Sequence, residues 1–405
     1  MQTRLPETLR QTPEGQRADT ILRSCVHCGF CNATCPTYQV LGDELDGPRG
    51  RIYLIKELLE TGGRQQAATA QTHLDRCLTC RACETTCPSG VEFGELLEIG
   101  REALQTTDRR WRDAFTRRWL GRVLPNPRKL ARWAALGRLF KWLLPKRLAS
   151  QLPGRAKRRG RSPAAIATHA RKVLLLQGCV QRLATPAVNV AVAKLCDDNK
   201  IETLTVDAEG CCGGLNLHLG QKAEALDAIR KNLDALRPNL HEVEFVVSTA
   251  SGCGVTLKDY GRLLAHDAQY SALAAEVADK TVDIAELVSD FVVQRRQTFR
   301  RVAWHAPCTL QHGQKINGRV EEILGRAGYT LVEVADGHLC CGSAGTYSVL
   351  EPELADELKR DKLAKLTADD PDVIVTANVG CQSHLQADAR VPVLHWVQLL
   401  APAGD

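Results

Sequence analysis

The stretch CVHCGFCNATCP at residues 25–36 returns as CLTCRACETTCP at residues 77–88, so the chain carries the pattern C-x2-C-x2-C-x3-C-P twice. Eight thiols at matched spacing constrain the fold more than any hydrophobic pattern, because each run must bend until its sulfurs face one point. A second and larger duplication follows. Cys179, then Cys211, Cys212 and Gly213, then Cys253 reappear as Cys308, then Cys340, Cys341 and Gly342, then Cys381, at offsets of 129, 129 and 128 residues. Two tandem modules of similar sequence account for that register. A chain of 405 residues is expected to divide into two to four domains of roughly 100–200 residues, and the repeats say where they lie.

The N-terminus lacks the apolar core of a secretory signal, and there is no run of about 18 uninterrupted apolar residues that could span a bilayer. A cytoplasmic chain is expected. In that reducing compartment, 17 cysteines at regular spacing point to metal or redox chemistry and away from disulfides. No G-x-G-x-x-G follows a strand and no P-loop occurs, so the chain shows no flavin or nucleotide fingerprint of its own.

A C-x2-C-x2-C loop lets three thiolates curl around one face of a cubane cluster, while a fourth Cys followed by Pro faces away and, in two-cluster ferredoxins, ligates the other cluster. Two copies complete each other. One [4Fe-4S] cluster is therefore assigned to Cys25, Cys28, Cys31 and Cys87, the other to Cys77, Cys80, Cys83 and Cys35. Zinc needs only two C-x2-C pairs and gives no reason for the third Cys or the terminal Cys-Pro. His27, Gly29 and Phe30, within the first loop, are read as packing and small-residue positions. The acidic residues Asp43, Glu44 and Asp46 are read as a solvated loop.

In the second duplication, residues 171–177, 245–249, 301–305 and 372–376 are short apolar runs that each end just before a Cys, which predicts buried strands. Helical patterns at 186–200, 221–237, 318–327 and 353–366 alternate with them. Parallel sheets follow, with ligands expected at the carboxyl ends of the strands. The cysteines Cys179, Cys211, Cys212 and Cys253, and their counterparts Cys308, Cys340, Cys341 and Cys381, are candidate ligands for a further cluster. His218, His305, His312, His338 and His384 are secondary candidates as ligands or proton carriers, each more simply a structural residue. Cys196, on a predicted helix without a counterpart, reads as a small buried hydrophobe.

Residues 109–161 hold 14 arginines and four lysines against a single acid, Asp113, and four of the six tryptophans. Breaks at Pro125, Pro127 and Pro145 leave short helices with Trp, Leu and Phe at helical spacing among the arginines. Such a segment suits an anionic membrane surface, a partner surface, or packing on the body of the protein. Nucleic acid is the least favoured partner, and none is expected.

The forty residues between the two short runs give the N-terminal part a similarity to helical ferredoxin domains, like that of the succinate dehydrogenase iron-sulfur subunit. The later cysteines resemble the cysteine-rich CCG domain found in heterodisulfide reductases. One departure stands out: the first Cys of that domain's closing C-x-x-C is Ala250 in one module and Asn378 in the other. Four cysteines per module could still hold a [4Fe-4S] cube, or could persist as a fold without metal. The stretches CVHCGFCNATCPTYQVLGDELDGPRGRIYLIKELLE, HLDRCLTCRACETTCPSGV, HLCCGSAGTY and VTANVGCQSHL are similar to the iron-sulfur subunits of glycolate oxidases, a resemblance that spans the chain apart from residues 105–170.

That resemblance implies an electron-transfer subunit of an oxidoreductase complex. FAD would sit only on partner glycolate oxidase subunits that oxidise glycolate to glyoxylate. Electrons would pass on to quinone or another respiratory acceptor, and the chain would sit peripherally on the cytoplasmic face of the inner membrane. Equivalent subunits of FAD-linked lactate or glycerol 3-phosphate dehydrogenases, or a disulfide-reducing CCG enzyme, are the alternatives. The fold expected is α/β with an all-α N-terminal part: a helical two-cluster ferredoxin domain at 1–105, a basic Trp-rich helical segment and linker at 106–165, and two tandem α/β CCG modules with parallel sheets at 166–296 and 297–405.

Overall fold

A computed structural model of the chain describes residues 1–63, 66–107, 109–140, 142 and 166–401. Local chemistry sets the N-terminal helices. Thr12 caps the helix Pro13–Ser24 by accepting the Gly15 amide at 3.0 Å. Proline at the first position opens Pro48–Thr61, where its missing N–H is no loss, and Gly62 in a left-handed conformation closes it. With Ala67–Asp75 and Phe93–Ala103, these helices bury Ile21, Leu22, Ile55, Leu74, Leu96 and Leu97 in one apolar core. This core belongs to a compact unit made of Met1–Arg118, Asn216–Lys222 and His338–Lys362.

The other unit comprises Trp119–Leu215, Ala223–Gly337 and Leu363–Asp405. It contains two all-parallel sheets of four strands. Strands β1 (Arg171–Leu176), β2 (Ile201–Leu204), β3 (Phe245–Ser248) and β4 (Thr281–Asp283) lie in the order β2-β1-β3-β4. Strands β5 (Arg301–Trp304), β6 (Thr330–Leu331), β7 (Val373–Thr376) and β8 (Val393–His395) repeat it as β6-β5-β7-β8. The α/β reading holds, with helical N-terminal part and paired parallel sheets. The central strands read as apolar runs because both of their faces are covered; β7, VIVT, is buried throughout. The outer strands β2, β4, β6 and β8 run for only two to four residues and have no counterpart among the strands that the sequence predicts.

Both modules contribute to one core, in which Val173, Val192 and Ile284 of the first join Val302, Val375 and Trp396 of the second. A polar seam accompanies it. The Ser251 hydroxyl lies 2.7 Å from Thr309 Oγ1, and the Asn378 amide donates to both hydroxyls, at 3.3 and 3.4 Å. Gln314 donates to the Ser251 carbonyl at 3.1 Å and to Asp283 Oδ2 at 3.0 Å.

The basic segment forms helices Trp111–Val123 and Pro127–Leu139, separated at the prolines as expected. Pro145 and the basic linker at 153–163 lie outside the described residues.

Candidate metal centres

The two short cysteine runs adopt the same local backbone. Residues two beyond the first Cys, His27 and Thr79, have φ of 57° and 54°, and residues one beyond the second Cys, Gly29 and Arg81, have φ of 84° and 60°. These left-handed residues curl each loop so that its sulfurs turn inward. Glycine accepts the conformation without steric cost; Arg81 adopts it where the other run has glycine. The Thr79 amide donates to Cys77 Sγ at 3.5 Å, and the His27 amide donates to Cys25 in the same way.

Each run ends in an extended Cys, Cys35 or Cys87, before proline. A cavity of about 430 Å³ is lined by Cys25, Cys28, Cys31 and Cys87, and another of about 370 Å³ by Cys77, Cys80, Cys83 and Cys35. The thiols of each set act on one another. Burial pushes Cys31 up to about 11, helped by Cys25, Cys87 and Cys28. Burial likewise lifts Cys83 far above the ordinary thiol value, with Cys80, Cys77 and Cys35 adding to it. Thiols so reluctant to ionise alone lose their protons to a metal that takes the thiolate. Among the described residues no cysteine forms a disulfide. Four soft sulfurs around one cavity, with amides aimed at them, fit a cubane cluster.

The surroundings of the two sets differ. At the first set Cys28 is exposed, and Val26 and Phe30, 67% and 62% accessible, flank it. Phe30 therefore does not pack as expected; its position one residue past Gly29 turns the ring outward. At the second set, Cys35, Cys77 and Cys83 are buried beside two buried guanidinium groups. Arg51 donates to His73 O at 2.8 Å and Thr37 Oγ1 at 3.0 Å, and its Nη1 is 3.8 Å from Cys35 Sγ. Burial alone would lower its pKa, but the charges of Cys77, Cys35 and Asp46 more than reverse that. Arg101 donates to Thr79 Oγ1 at 2.8 Å and to Cys77 O at 2.7 Å.

Asp46 also departs from the sequence reading. It is fully buried, 3.4 Å from Arg51 Nη2 and 2.9 Å from Arg76 Nη1. A buried guanidinium requires a counter-charge, and Asp46 supplies it. Asp43 and Glu44 stay at the surface, Asp43 capping the Leu45 amide and Glu44 pairing with Arg49 at 2.6 Å.

In the first α/β module the order β2-β1-β3-β4 puts the switch point between β1 and β3, where the crevice of such a sheet opens. Cys179 follows β1 and Cys253 follows β3, and a cavity of about 320 Å³ there is lined by both, with Cys212 and Glu209. Cys211 hydrogen-bonds with Cys179 and Cys212, which together with burial holds its thiol well above the usual range. Cys253 bonds to Cys212 with the same result. All four thiols of this module meet. Glu209, invisible to the spacing argument except as an acid two residues before Cys211, accepts the Gln177 and Gly178 amides at 2.8 Å each. It ties the turn bearing Cys179 to the loop bearing Cys211. The Tyr260 hydroxyl donates to Cys212 O at 3.1 Å and cinches the other side.

The second module repeats the local turn. Gly213 and Gly342 have φ of 89° and 87°, and their amides donate to Cys211 Sγ at 3.4 Å and Cys340 Sγ at 3.5 Å. Cys308 stands before a π-helical turn, Thr309–Gly313, after β5, and Cys381 lies in the helix Val379–Gln386 after β7. Where the fifth Cys of the pattern is missing, Ala250 is buried and Asn378 belongs to the seam between the modules. His305, His312 and His384 are buried, and His218 lines a cavity beside Cys77. Cys196 is wholly buried in the apolar core, its thiol raised to about 12 by burial alone, as a small hydrophobe should be.

Comparison with known proteins finds a domain family over each of the two duplications. The family model for a 4Fe-4S dicluster domain matches residues 21–91, so the chain carries two [4Fe-4S] clusters, and the model for a cysteine-rich domain matches twice, at 173–258 and 302–386. The glycolate oxidase iron-sulfur subunit of Escherichia coli (strain K12) is 45% identical over 100% of this chain and 99% of its own length. The probable glycolate oxidase iron-sulfur subunit of Bacillus subtilis (strain 168) is 27% identical over 95% and 94%. One subunit of the fumarate reductase (CoM/CoB) from Methanothermobacter marburgensis is 24% identical over 93% of this chain and 70% of its own. Paired cysteine runs, two cysteine-rich modules and full-length identity lead to one conclusion: the chain belongs to the family of glycolate oxidase iron-sulfur subunits.

Proposed function

We propose that this chain carries electrons within a glycolate-oxidising complex, from the FAD of partner subunits that convert glycolate to glyoxylate to a quinone or other respiratory acceptor. The observation that carries the reading is the pair of cavities, each bringing three cysteines of one run to the last cysteine of the other. Cys25, Cys28, Cys31 and Cys87 would hold one cluster and Cys77, Cys80, Cys83 and Cys35 the other. When bound, such clusters supply one-electron transfer. The chain's residues decide the rest. Exposed Cys28, flanked by Val26 and Phe30, offers the partner a short approach to the first set, while Arg51 and Arg101 stabilise added negative charge at the buried second set. The convergence of Cys179, Cys211, Cys212 and Cys253 supports a third cluster in the first module. On this reading the chain divides at 1–105, 106–165, 166–296 and 297–405.

The helix Pro127–Leu139 supports contact with a membrane surface. Leu136 and Leu139, with Phe140 just beyond, share its exposed side with Arg128, Lys129 and Arg132, and there is no acid among them. No described helix is long and apolar enough to cross a membrane. An interfacial helix of mixed Arg, Leu and aromatic character suits an anionic surface.

The test is anaerobic mixing of the iron-loaded chain with its flavoprotein partners and glycolate. Appearance of reduced-cluster signals in electron paramagnetic resonance is expected with glycolate. Signals driven only by lactate or glycerol 3-phosphate would move the subunit to another complex, and signals with none of the three would overturn the reading.

A further inference from the structure

Beside the second cysteine set, the first compact unit holds another cavity, of about 310 Å³, partly open to solvent. Its wall includes Cys77, and Thr79, Arg101, His218, Thr346 and Tyr347 give it a polar side. Leu78, Leu219 and Leu350 add apolar side chains to the lining. Cys77, Leu78 and Thr79 belong to the second cysteine run, and the other lining residues lie outside both short runs.

Tyr347 is the unspent group. It is 5% exposed, and its hydroxyl has no hydrogen-bond partner among the described residues, an arrangement that is costly unless a ligand supplies an acceptor. The neighbouring cations are already committed. Arg101 donates to Thr79, Leu74 and Cys77, and Arg117 pairs with Asp75 at 2.9 Å. A carboxylate ligand would find both of these guanidinium groups engaged, whereas a neutral carbonyl oxygen would find a donor. A flat ring with carbonyl oxygens would cover the leucines and face the tyrosine.

We propose that this cavity receives the ring of a quinone, one carbonyl oxygen accepting a hydrogen bond from Tyr347, and that electrons leave the chain here. This rests on the reading that a quinone is the acceptor. A cluster held by Cys77, Cys80, Cys83 and Cys35 would supply one electron at a time, so the ring would take its two electrons in two transfers, the cluster being reduced again between them from the other cysteine set. Two protons enter from solvent through the open side. The two C=O groups become C–OH, giving the hydroquinone. Tyr347 remains a hydrogen-bond donor throughout, as an un-ionised phenol is near neutral pH.

The full chain, iron-loaded, reduced with dithionite and freed of excess reductant, would be mixed in stopped flow with decylubiquinone or with ferricyanide. Wild type is expected to be reoxidised by both. Tyr347→Phe should slow the decylubiquinone reaction about tenfold, as expected for one lost buried hydrogen bond, and leave the ferricyanide reaction unchanged. Leu350→Trp, which puts a bulkier side chain on the cavity lining, should do the same at unchanged iron content, and decides the matter if Tyr347→Phe loses iron. Wild-type rates with decylubiquinone in both variants would overturn the site while leaving a quinone acceptor standing. Wild type that reacts with ferricyanide alone would overturn the quinone reading and the site with it.

Discussion

Arg51 Nη1 lies 3.8 Å from Cys35 Sγ while Nη2 of the same guanidinium lies 3.4 Å from Asp46 Oδ1, and all three residues are buried. One cation thus faces a cysteine sulfur and a carboxylate at once. Arg51→Met should make the potential of the cluster at this set more negative, because the added electron loses its nearest cation; Asp46→Asn should shift it the other way. Removing one member of a buried pair should also cost about 3–5 kcal/mol of stability. Potentiometric titration read by electron paramagnetic resonance checks the first effect, and denaturant unfolding the second. Equal potentials in both iron-loaded variants would show that the pair is structural only.

The proposed crossing of the two cysteine runs makes a sharper demand. Cys87→Ser should disturb the cluster held mainly by Cys25, Cys28 and Cys31, and Cys35→Ser the one held by Cys77, Cys80 and Cys83. Spectra in which each variant loses the cluster of its own run would refute the crossing. Iron analysis of the wild type should exceed the roughly eight atoms of two cubane clusters, approaching about twelve if the first module is loaded.

The contrast between these two predictions shows what can be read from sequence. Spacing picks out the cysteines, because a cluster loop tolerates few other arrangements. It says nothing of Arg51, Arg101 or Asp46, whose roles depend on burial that no local pattern signals; DELDGPRGR reads as a polar loop until the chain folds over it. The central strands are legible as apolar runs. The outer strands are too short to show a period, and exist because a neighbouring strand offers them a ladder.

Acid titration should expose two opposing groups in the α/β unit. Burial raises Asp283 to about 6, offset in part by the Ala285 amide and Gln314, with Glu286 adding to the rise and Lys258 opposing it. It therefore destabilises the fold progressively as pH rises from about 4 to about 6. Burial lowers His395 to about 4, its Nε2 donating to Thr249 O at 2.9 Å and its Nδ1 accepting from the Val397 amide at 3.3 Å. Its contribution runs the other way: stability is lost as pH falls from about 6.5 toward 4. The two contributions oppose each other between about pH 4 and about 6. Asp283→Asn should gain on the order of 2–3 kcal/mol at neutral pH and then lose stability on acidification more steeply than the wild type. Unfolding curves between pH 4.5 and about 7 measure both.

Membrane contact is a question for vesicles. Sedimentation with phosphatidylglycerol vesicles should be several-fold weaker for Leu136→Glu combined with Leu139→Glu. It should weaken with salt as well, since each basic residue near an anionic surface contributes about 1 kcal/mol. Equal binding by wild type and variant would exclude this helix as the contact.

Asn378 stands where the cysteine-rich pattern has a ligand, and its amide is spent on Ser251 and Thr309 of the seam. A coordinating position has become a weld. Duplicated halves usually keep the freedom to be exchanged, shortened or inherited apart. Here His395 of one half donates to Thr249 of the other, and Trp396 shares a core with Val173. Neither half could be swapped for its counterpart from a relative without bringing along the opposite face, so the two copies are bound to change together.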